Sequence, residues 1–478
     1  MGQEIAHGHF NKQDFDDYDL RLQEEMRLLS AMFADNAFAN NGRTGGYEIE
    51  AWLINNDNFP APINQAFLKA VDSPLVVPEL STFNVELNGT PRAMSGDALS
   101  KMEAELERTW ARCRLSAQAL DADMLMIGIL PTVREQDLTL DHISGMTRFR
   151  ALNEQILRVR KGCPIELDIS GRESLEVSQS NVMLEAAATS FQIHLKITQQ
   201  QSVRFFNAAT IVSAPMVALC ANSPYLFGRD LWDETRIPLF EQAVSVRSPR
   251  SKWSDRVTFG HGYLQQSLLE CFEENLVRFP VLLPEHLEGD PDRLNHLLLH
   301  NGTIWRWNRP LIGFDSNDVP HLRIEHRVIP SGPSIIDTIA NAAFYFGLIH
   351  TVATATDVPE DALTFNQARA NFYAAAKHGL NAHIDWLDGR QQVPVQGLLR
   401  EVLLPMARQG LEQQEFNAGD IDRYLGVIEQ RLDGWCNGAA WQRGWVEQHG
   451  ADMHALTAAY AENQQTGEPV HQWKFQKQ

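Results

Sequence analysis

Cysteine is scarce in this chain and follows no motif. The 478 residues include five cysteines, and none of them forms a CxxC pair. An odd and scattered set of thiols is not typical of a zinc knuckle or of the disulfide framework of a secreted protein. We therefore expect reduced cysteines and a cytoplasmic location. The five are Cys113, Cys163, Cys220, Cys271 and Cys436.

Positive charge is also in short supply. Lysine and arginine number 41 against 61 aspartates and glutamates, which gives a formal net charge of −20. A nucleic-acid partner would require a basic surface, so we expect none. This charge does not exclude a polyanionic nucleotide, because Mg²⁺ ions can mediate between acidic residues and phosphates.

Long uninterrupted hydrophobic runs are missing as well. The first ten residues have no apolar core of the kind that a signal peptide needs, and Ala6 departs from the myristoylation pattern. The longest apolar stretch, about residues 205–221, contains Asn207. We expect this stretch to be too short for a membrane span and to form a buried helix, and we expect no membrane partner.

Four short segments alternate charged or ligating side chains with apolar ones. Successive side chains of a strand point to opposite faces, so each segment would have one polar and one apolar face. Together the segments predict one sheet whose open face is acidic and suited to metal ions. The polar positions are Glu48, Glu50, Glu86, His194, Arg323, Glu325 and Arg327.

Helical spacing dominates the rest of the chain and its C-terminal part. Mixed strands and helices followed by a helical tail predict an α+β protein. We expect a catalytic domain over residues 1–385 and a helical region over residues 386–478 that serves as a lid, a dimer interface or part of the core. A buried strand is expected at 124–132, and helices at 18–34, 100–120, 202–220, 334–356, 365–378, 396–411, 420–433 and 451–464.

The glutamates are the candidate metal ligands. Glu48 and Glu50 share a strand face about 6.5–7 Å apart at their Cα atoms, so both carboxylates can reach one metal ion or two adjacent ones. The alternative is that both glutamates are solvent-exposed on an ordinary strand, which would have the same sequence pattern. Glu79 has the opposite strand parity to Glu86, so it reaches the same site only if the chain bends near Ser81–Thr82.

His194 and the alternating strand at Arg323, Glu325 and Arg327 offer complementary chemistry. His194 would be a metal ligand, a hydrogen-bond donor to phosphate, or a structural histidine. The Arg-Glu-Arg face would be an arginine fork on a phosphate beside a metal-bound carboxylate. A surface ion-pair ladder worth about 1 kcal/mol or less per pair is the alternative.

Five segments in chain order resemble the glutamate–cysteine ligase family. They are GYEIE, ELSTFNVEL, QIHLKI, ANSPYLFGR and RIEHR, and the similarity covers about residues 40–380. The resemblance implies a glutamine-synthetase-like fold with an antiparallel or mixed sheet. It also implies an ATP-dependent ligase that joins a glutamate-like acid to an amine such as cysteine in glutathione biosynthesis, through a γ-glutamyl phosphate. Two or three Mg²⁺ ions, or Mn²⁺, would assist.

The resemblance also implies roles for individual residues. Arg327 would contact the transferred phosphoryl group, and Glu86 would bridge metal ions and take part in catalysis. Arg229 would hold the substrate carboxylate. The implied metal ligands are Glu48, Glu50, Glu79, Glu86 and Glu325, and His194 would contact a metal ion or a nucleotide phosphate. Independently of the resemblance, Trp305, Trp307 and Arg309 of NGTIWRWNRP would line a nucleotide or amino-acid pocket, since aromatic stacking and an arginine suit that role; tryptophans of the core are the alternative.

Two departures from the family pattern leave alternatives open. GYEIEAWL lacks a run of three glutamates, and RIEHR has His326 where a small apolar residue is more usual, although strand parity turns His326 away from Glu325. The alternatives are a ligase with another acid or amine, a phosphotransferase like the guanidino kinases, and a binding protein that has lost turnover.

Overall fold

A computed structural model describes residues 4–40, 42–249, 253–315 and 317–475. Their strands are β1 (Thr44–Asn55), β2 (Val76–Pro78), β3 (Asn84–Asn88), β4 (Arg92–Ala93), β5 (Ala122–Leu125), β6 (Ile165–Ser170), β7 (Ser174–Gln179), β8 (Ser190–Ile197), β9 (Tyr225–Leu226), β10 (Arg229–Asp230), β11 (Asn308–Phe314), β12 (Pro320–Pro330), β13 (His383–Ile384) and β14 (Val393–Pro394).

The helices of the described residues enclose the strands. They are α1 (Lys12–Ala34), α2 (Asn64–Val71), α3 (Ala98–Gln118), α4 (Thr147–Val159), α5 (Ser202–Cys220), α6 (Arg236–Ala243), α7 (Leu269–Arg278), α8 (Asn295–Gly302), α9 (Ile335–Thr354), α10 (Pro359–Ala362), α11 (Phe365–His378), α12 (Val395–Leu398), α13 (Leu404–Gln413), α14 (Ala418–Asp433), α15 (Gly438–His449) and α16 (Met453–Gln465).

Eight strands form one sheet, and every pair in it is antiparallel. Its order is β11-β12-β8-β1-β3-β2, with β4 and β5 also paired to β1. All four segments with polar faces belong to this sheet, in β1, β3, β8 and β12. The prediction of one sheet that carries the four segments is confirmed.

The strand register gathers the polar side chains on one face. Glu50 lies opposite Glu86, and Glu325 lies opposite His194. Directly opposed residues of an antiparallel pair share a face. The residues between them, among them Ile49, Val85 and Ile193, are fully buried on the other face.

The apolar face packs on two long helices, α5 and α9. Helix α5 contacts β11, β12 and α9, and nearly all of its residues are buried. The prediction of a buried helix is confirmed. The prediction that this stretch is too short to span a membrane is wrong. The helical stretch Gln199–Cys220 and helix α9 are both long and apolar enough to cross a membrane by length and composition, and most of each is buried inside the protein.

The C-terminal helices complete the same core. Helices α13 and α14 pack on α9, and one cluster of buried apolar residues extends from Ile5 to Trp473. Arg431 of α14 donates to the carbonyl of Leu219 and to Asn341 in the middle of this core. The domain boundary after residue 385 stays a prediction.

Two predicted elements differ in the structure. Strand β5 ends at Leu125 because the backbone of Met126 bonds to the side chain of Gln464 instead of to a neighbouring strand. The helix expected over 396–411 contains a π-helical turn, Leu399–Leu403. Pro405 follows that turn and has no N–H to donate to the carbonyl of Glu401, so the regular α-helical register is interrupted there.

Candidate active site

A cavity of about 340 Å³ lies on the polar face of the sheet. Its floor is formed by charged and amide side chains of β1, β3, β8, β11 and β12. Its walls are largely apolar and come from α4, α6 and α8, through residues such as Leu152, Phe240 and Leu299. A charged floor under apolar walls excludes water and so strengthens the interactions of any charge bound there.

The first ligand cluster consists of Glu48, His194 and Glu325. One donor atom from each lies within 4.8 Å of the others. His194 Nε2 is 3.4 Å from Glu48 Oε1, and neither ring nitrogen has a hydrogen-bond partner among the described residues. A buried imidazole without a hydrogen bond is costly unless it binds a ligand, so a metal ion fits this cluster.

The second cluster consists of Glu50, Glu79 and Glu86, whose oxygens also lie within 4.8 Å of one another. Glu79 reaches it because the chain turns at Thr82–Phe83, where the bend near Ser81–Thr82 was expected. Strands β2 and β3 form a hairpin in which Val77 lies opposite Glu86. Glu79 comes two residues after Val77 and therefore has the same face as Glu86. The chain reverses direction there, so parity counted along one strand does not apply.

Crowding of negative charge perturbs the second cluster. Burial and the charge of Glu79 raise the pKa of Glu50 to about 7. Burial, Glu48 and Glu79 raise the pKa of Glu86 well above its usual value. A divalent cation between the carboxylates would remove this repulsion, and oxygen ligands are the ones that Mg²⁺ and Mn²⁺ prefer. The residues therefore fit a metal site.

The first cluster has the opposite electrostatic state. Burial would raise the pKa of Glu325, but Arg309 and Arg327 outweigh it and the pKa falls to about 2. Burial is likewise outweighed at Glu48 by its neighbour His194, which holds the pKa of Glu48 well below its usual value. Both carboxylates are therefore ionised and able to bind a cation at neutral pH.

Arg327 connects the two clusters. Its Nε donates to Glu325 Oε1 at 2.7 Å, and its Nη2 donates to Gln192 Oε1 at 3.1 Å. Gln192 in turn donates to Glu50 Oε1 at 3.0 Å. The backbone N–H of Ser190 also donates to Glu50, at 2.6 Å. These bonds hold the guanidinium of Arg327 between the two candidate metal sites.

The other implied ligand-binding residues divide into those at the cavity and one that is remote. Arg309 donates to Glu325 Oε2 at 2.7 Å, and Arg323 and Trp305 also line the cavity. Arg229 does not reach it. It lies on the short strand β10 at the protein surface and pairs with Glu173 at 3.0 Å.

Sequence comparison assigns the family. The profile of glutamate-cysteine ligase family 2 matches residues 44–468. The chain belongs to this family. The match extends well beyond residue 380 and so includes the C-terminal helices. A comparison with curated protein sequences found no match.

Two solved structures show the fold of this ligase. A glutamate–cysteine ligase from Francisella tularensis in complex with AMP is 12% identical, with a TM-score of 0.54 over 92% of this chain and 91% of that one. A bifunctional glutathione synthetase from Pasteurella multocida has the same identity, TM-score and coverage of this chain, and 54% of its own chain is covered. The fold is glutamine-synthetase-like, as expected.

Membership of the family makes the chain an ATP-dependent ligase that joins a carboxylate to an amine. His326 leaves the ligase site undisturbed, because it lies on the apolar face, where it stacks on Tyr345 and contacts Asn308. Trp307 also lies outside the cavity lining, in the core, and donates to Glu241.

Several cavity residues were absent from the sequence-derived set, among them Gln192 and three charged residues. Gln192 shares the polar face of β8 with His194, so strand parity could have identified it. Glu185 lies in the short 3₁₀ helix Met183–Ala187, and Arg148 and Arg236 lie on helices. No local pattern marks these three, because their approach to the sheet depends on how the helices dock.

Proposed function

We propose that this ligase joins L-glutamate to L-cysteine, with ATP converted to ADP and phosphate through a γ-glutamyl phosphate. The observation that carries the proposal is the pair of ligand clusters side by side on one sheet face, connected by Arg327. Two cation sites flanking a fixed guanidinium suit phosphoryl transfer, where positioning and charge neutralisation supply most of the catalysis.

The residues would hold two divalent cations, Mg²⁺ or Mn²⁺, one at each cluster. Glu48, His194 and Glu325 would bind the first, and Glu50, Glu79 and Glu86 the second. When bound, these ions neutralise phosphate charge and orient the triphosphate.

In the first step, an oxygen of the side-chain carboxylate of the acid attacks the γ-phosphorus of ATP, and ADP leaves. Arg327 would hold the transferred phosphoryl group, while Arg309 and Arg323 would hold the nucleotide phosphates. The guanidinium groups of Arg309 and Arg327 are already oriented by Glu325 and Gln192, which reduces the reorganisation needed during the reaction.

In the second step, the amine nitrogen attacks the carbonyl carbon of the acyl phosphate, and inorganic phosphate leaves with the bonding electrons. The carboxylate alone could not react in this way because its oxygen is a poor leaving group. The apolar walls formed by α4 and α6 support this step by excluding water, which would otherwise hydrolyse the intermediate.

The apolar walls favour a second candidate amine. Leu152, Ile156 and Val244 are among the residues that line the cavity, and an apolar lining of this kind accommodates apolar groups. An amine with a larger apolar side chain would use this surface, with the same acid activation and the same role for Arg327.

An ADP-release screen of amino-acid pairs tests the proposal. With ATP and Mg²⁺, we expect release that requires both an acid and an amine, with the glutamate and cysteine pair active. ADP release without an amine, accompanied by a stable phosphorylated product, would identify a phosphotransferase instead.

The variant Glu86→Gln tests the second cluster in the same assay. We expect kcat to fall by about 10² or more, because an amide cannot neutralise a bound cation. Glu176→Gln on the exposed face of β7 and Arg229→Met at the surface are matched controls that should keep activity within twofold. Unchanged activity in Glu86→Gln would remove Glu86 from the site.

A further inference from the structure

Arg148 is a buried cation without an ionic partner. Its side chain lines the cavity and the residue is 8% exposed. Among the described residues, no carboxylate forms an ion pair with it, and its Nε has no hydrogen bond. The guanidinium carbon lies 4.6 Å from the centre of the Phe149 ring, which gives a cation–π contact.

The position of Arg148 on its helix adds to the free-energy cost of burying its charge. It lies in the first turn of α4, where the helix dipole disfavours a cation, and the carboxylate of Glu4 there accepts a hydrogen bond from the backbone N–H of Arg148, not from its guanidinium. Burial also lowers the pKa of Arg148 from its usual value, even though Glu79 and Glu86 lie near enough to oppose that effect. Among the described residues, none of the nearby carboxylates forms an ion pair with the guanidinium, so its charge is available to a ligand in the cavity.

The ligand is an anion at one end of the cavity. Glu79 and Glu86, the main charges that act on Arg148, belong to the β2–β3 side of the sheet. Arg309 and Arg323 lie on β11 and β12 at the other side. Strands β3 and β12 are separated by three strand spacings of about 4.8 Å each. The nucleotide phosphates would therefore bind Arg309 and Arg323, on the far side of the sheet from Arg148. Metal ions bound at Glu79 and Glu86 would neutralise these carboxylates and leave the charge of Arg148 with less compensation.

We propose that Arg148 binds a substrate carboxylate that is not the one activated by ATP. This inference rests on the proposed function, and it fills the role that the sequence assigned to Arg229. Two carboxylates fit the description: the α-carboxylate of the acid and the carboxylate of the amine. A guanidinium binds either one with two parallel hydrogen bonds.

Steady-state kinetics of Arg148→Gln test this assignment. We expect the KM of one amino-acid substrate to rise by 10- to 100-fold while the KM of ATP stays within threefold, and Arg148→Lys should recover part of the loss. Arg158→Gln, in the exposed last turn of the same helix, is the matched control. An equal rise in the KM of ATP, or a loss of kcat and thermal stability with both amino-acid KM values unchanged, would overturn the proposal.

Substrate analogues distinguish the two sources of the carboxylate. Isoglutamine lacks the α-carboxylate of glutamate, and cysteamine lacks the carboxylate of cysteine. The analogue without the bound carboxylate should be a poor substrate for the wild type and should lose nothing further in Arg148→Gln. Equal additional losses with both analogues would contradict the assignment.

A binding measurement separates failure of this inference from failure of the proposed reaction. L-Glutamate or L-cysteine should raise the melting temperature of the wild type but not that of Arg148→Gln, whether or not ADP is released. If neither amino acid stabilises the wild type, or if both proteins are stabilised equally, the Arg148 assignment is wrong. Stabilisation that depends on Arg148 without any ADP release would contradict the reaction alone.

Discussion

Glu241 is a carboxylate whose ionisation depends on the folded state. Its Oε1 accepts hydrogen bonds from Trp307 Nε1 and from the hydroxyl of Tyr373, both at 2.8 Å. Burial raises its pKa to about 7, and these two hydrogen bonds offset only part of the effect. A glutamate in the unfolded chain has released its proton by that pH.

Replacing Glu241 with glutamine should therefore change how stability varies with pH. Between the unfolded pKa and about 7, the folded protein binds a proton that the unfolded chain has released, so this stabilisation falls as the pH rises through 7. Glu241→Gln keeps the acceptor oxygen without the charge. We expect it to gain about 2–3 kcal/mol on the wild type between pH 5 and pH 8 in urea unfolding. Parallel curves would contradict this, and Glu176→Gln is the exposed control.

Strand parity explains which site residues the sequence revealed. Side chains of β1, β3, β8 and β12 alternate with period two, so Glu48, Glu50, Glu86, His194 and Glu325 could be assigned to one face before the strand order was known. Arg148 and Arg236 reach the cavity from helices that pack on the sheet, and Glu185 reaches it from a 3₁₀ turn. Sequence periodicity does not predict how these elements pack. The Arg229 prediction relied on the resemblance of the segment ANSPYLFGR to the family, which does not fix the direction of a side chain.

At the scale of elements, helices α9 and α13 cross with their backbones in contact. A Cβ atom on Gly347 would overlap the carbonyl oxygen of Ala407, and a Cβ on Gly410 would overlap the carbonyl oxygen of Gly347. Both positions have helical backbone, so glycine is required there for close approach rather than for a special dihedral angle. The long-range partner is what makes these glycines necessary, and the sequence alone does not identify it.

Gly347→Ala should separate these helices and destabilise the protein. We expect a loss of about 2 kcal/mol or more in the free energy of unfolding, because rigid backbone atoms must move. Gly426→Ala in α14 is the matched control, since its Cβ would meet no atom within 4 Å, and alanine there should stabilise by about 0.5–1 kcal/mol. Equal effects of the two substitutions in thermal unfolding would contradict the close crossing.

At the scale of the whole molecule, the C-terminal helices and the catalytic sheet depend on one core. Helix α9 packs on α5, which supports β11 and β12, and also on α13 and α14. The sequence predicted the α+β class and the helical C-terminal region from periodicity. The antiparallel order β11-β12-β8-β1-β3-β2 joins strands that are distant in the chain, so it required the folded structure.

The central claim is that the acidic face of the sheet forms an acyl phosphate before it forms an amide. Transfer of ¹⁸O from the acid to phosphate tests this most directly. The acid is labelled in the carboxylate that becomes activated, and turnover proceeds with ATP, Mg²⁺ and the amine. We predict that the released inorganic phosphate carries one ¹⁸O atom from the acid. Phosphate without the label, formed together with the amide, would contradict the account.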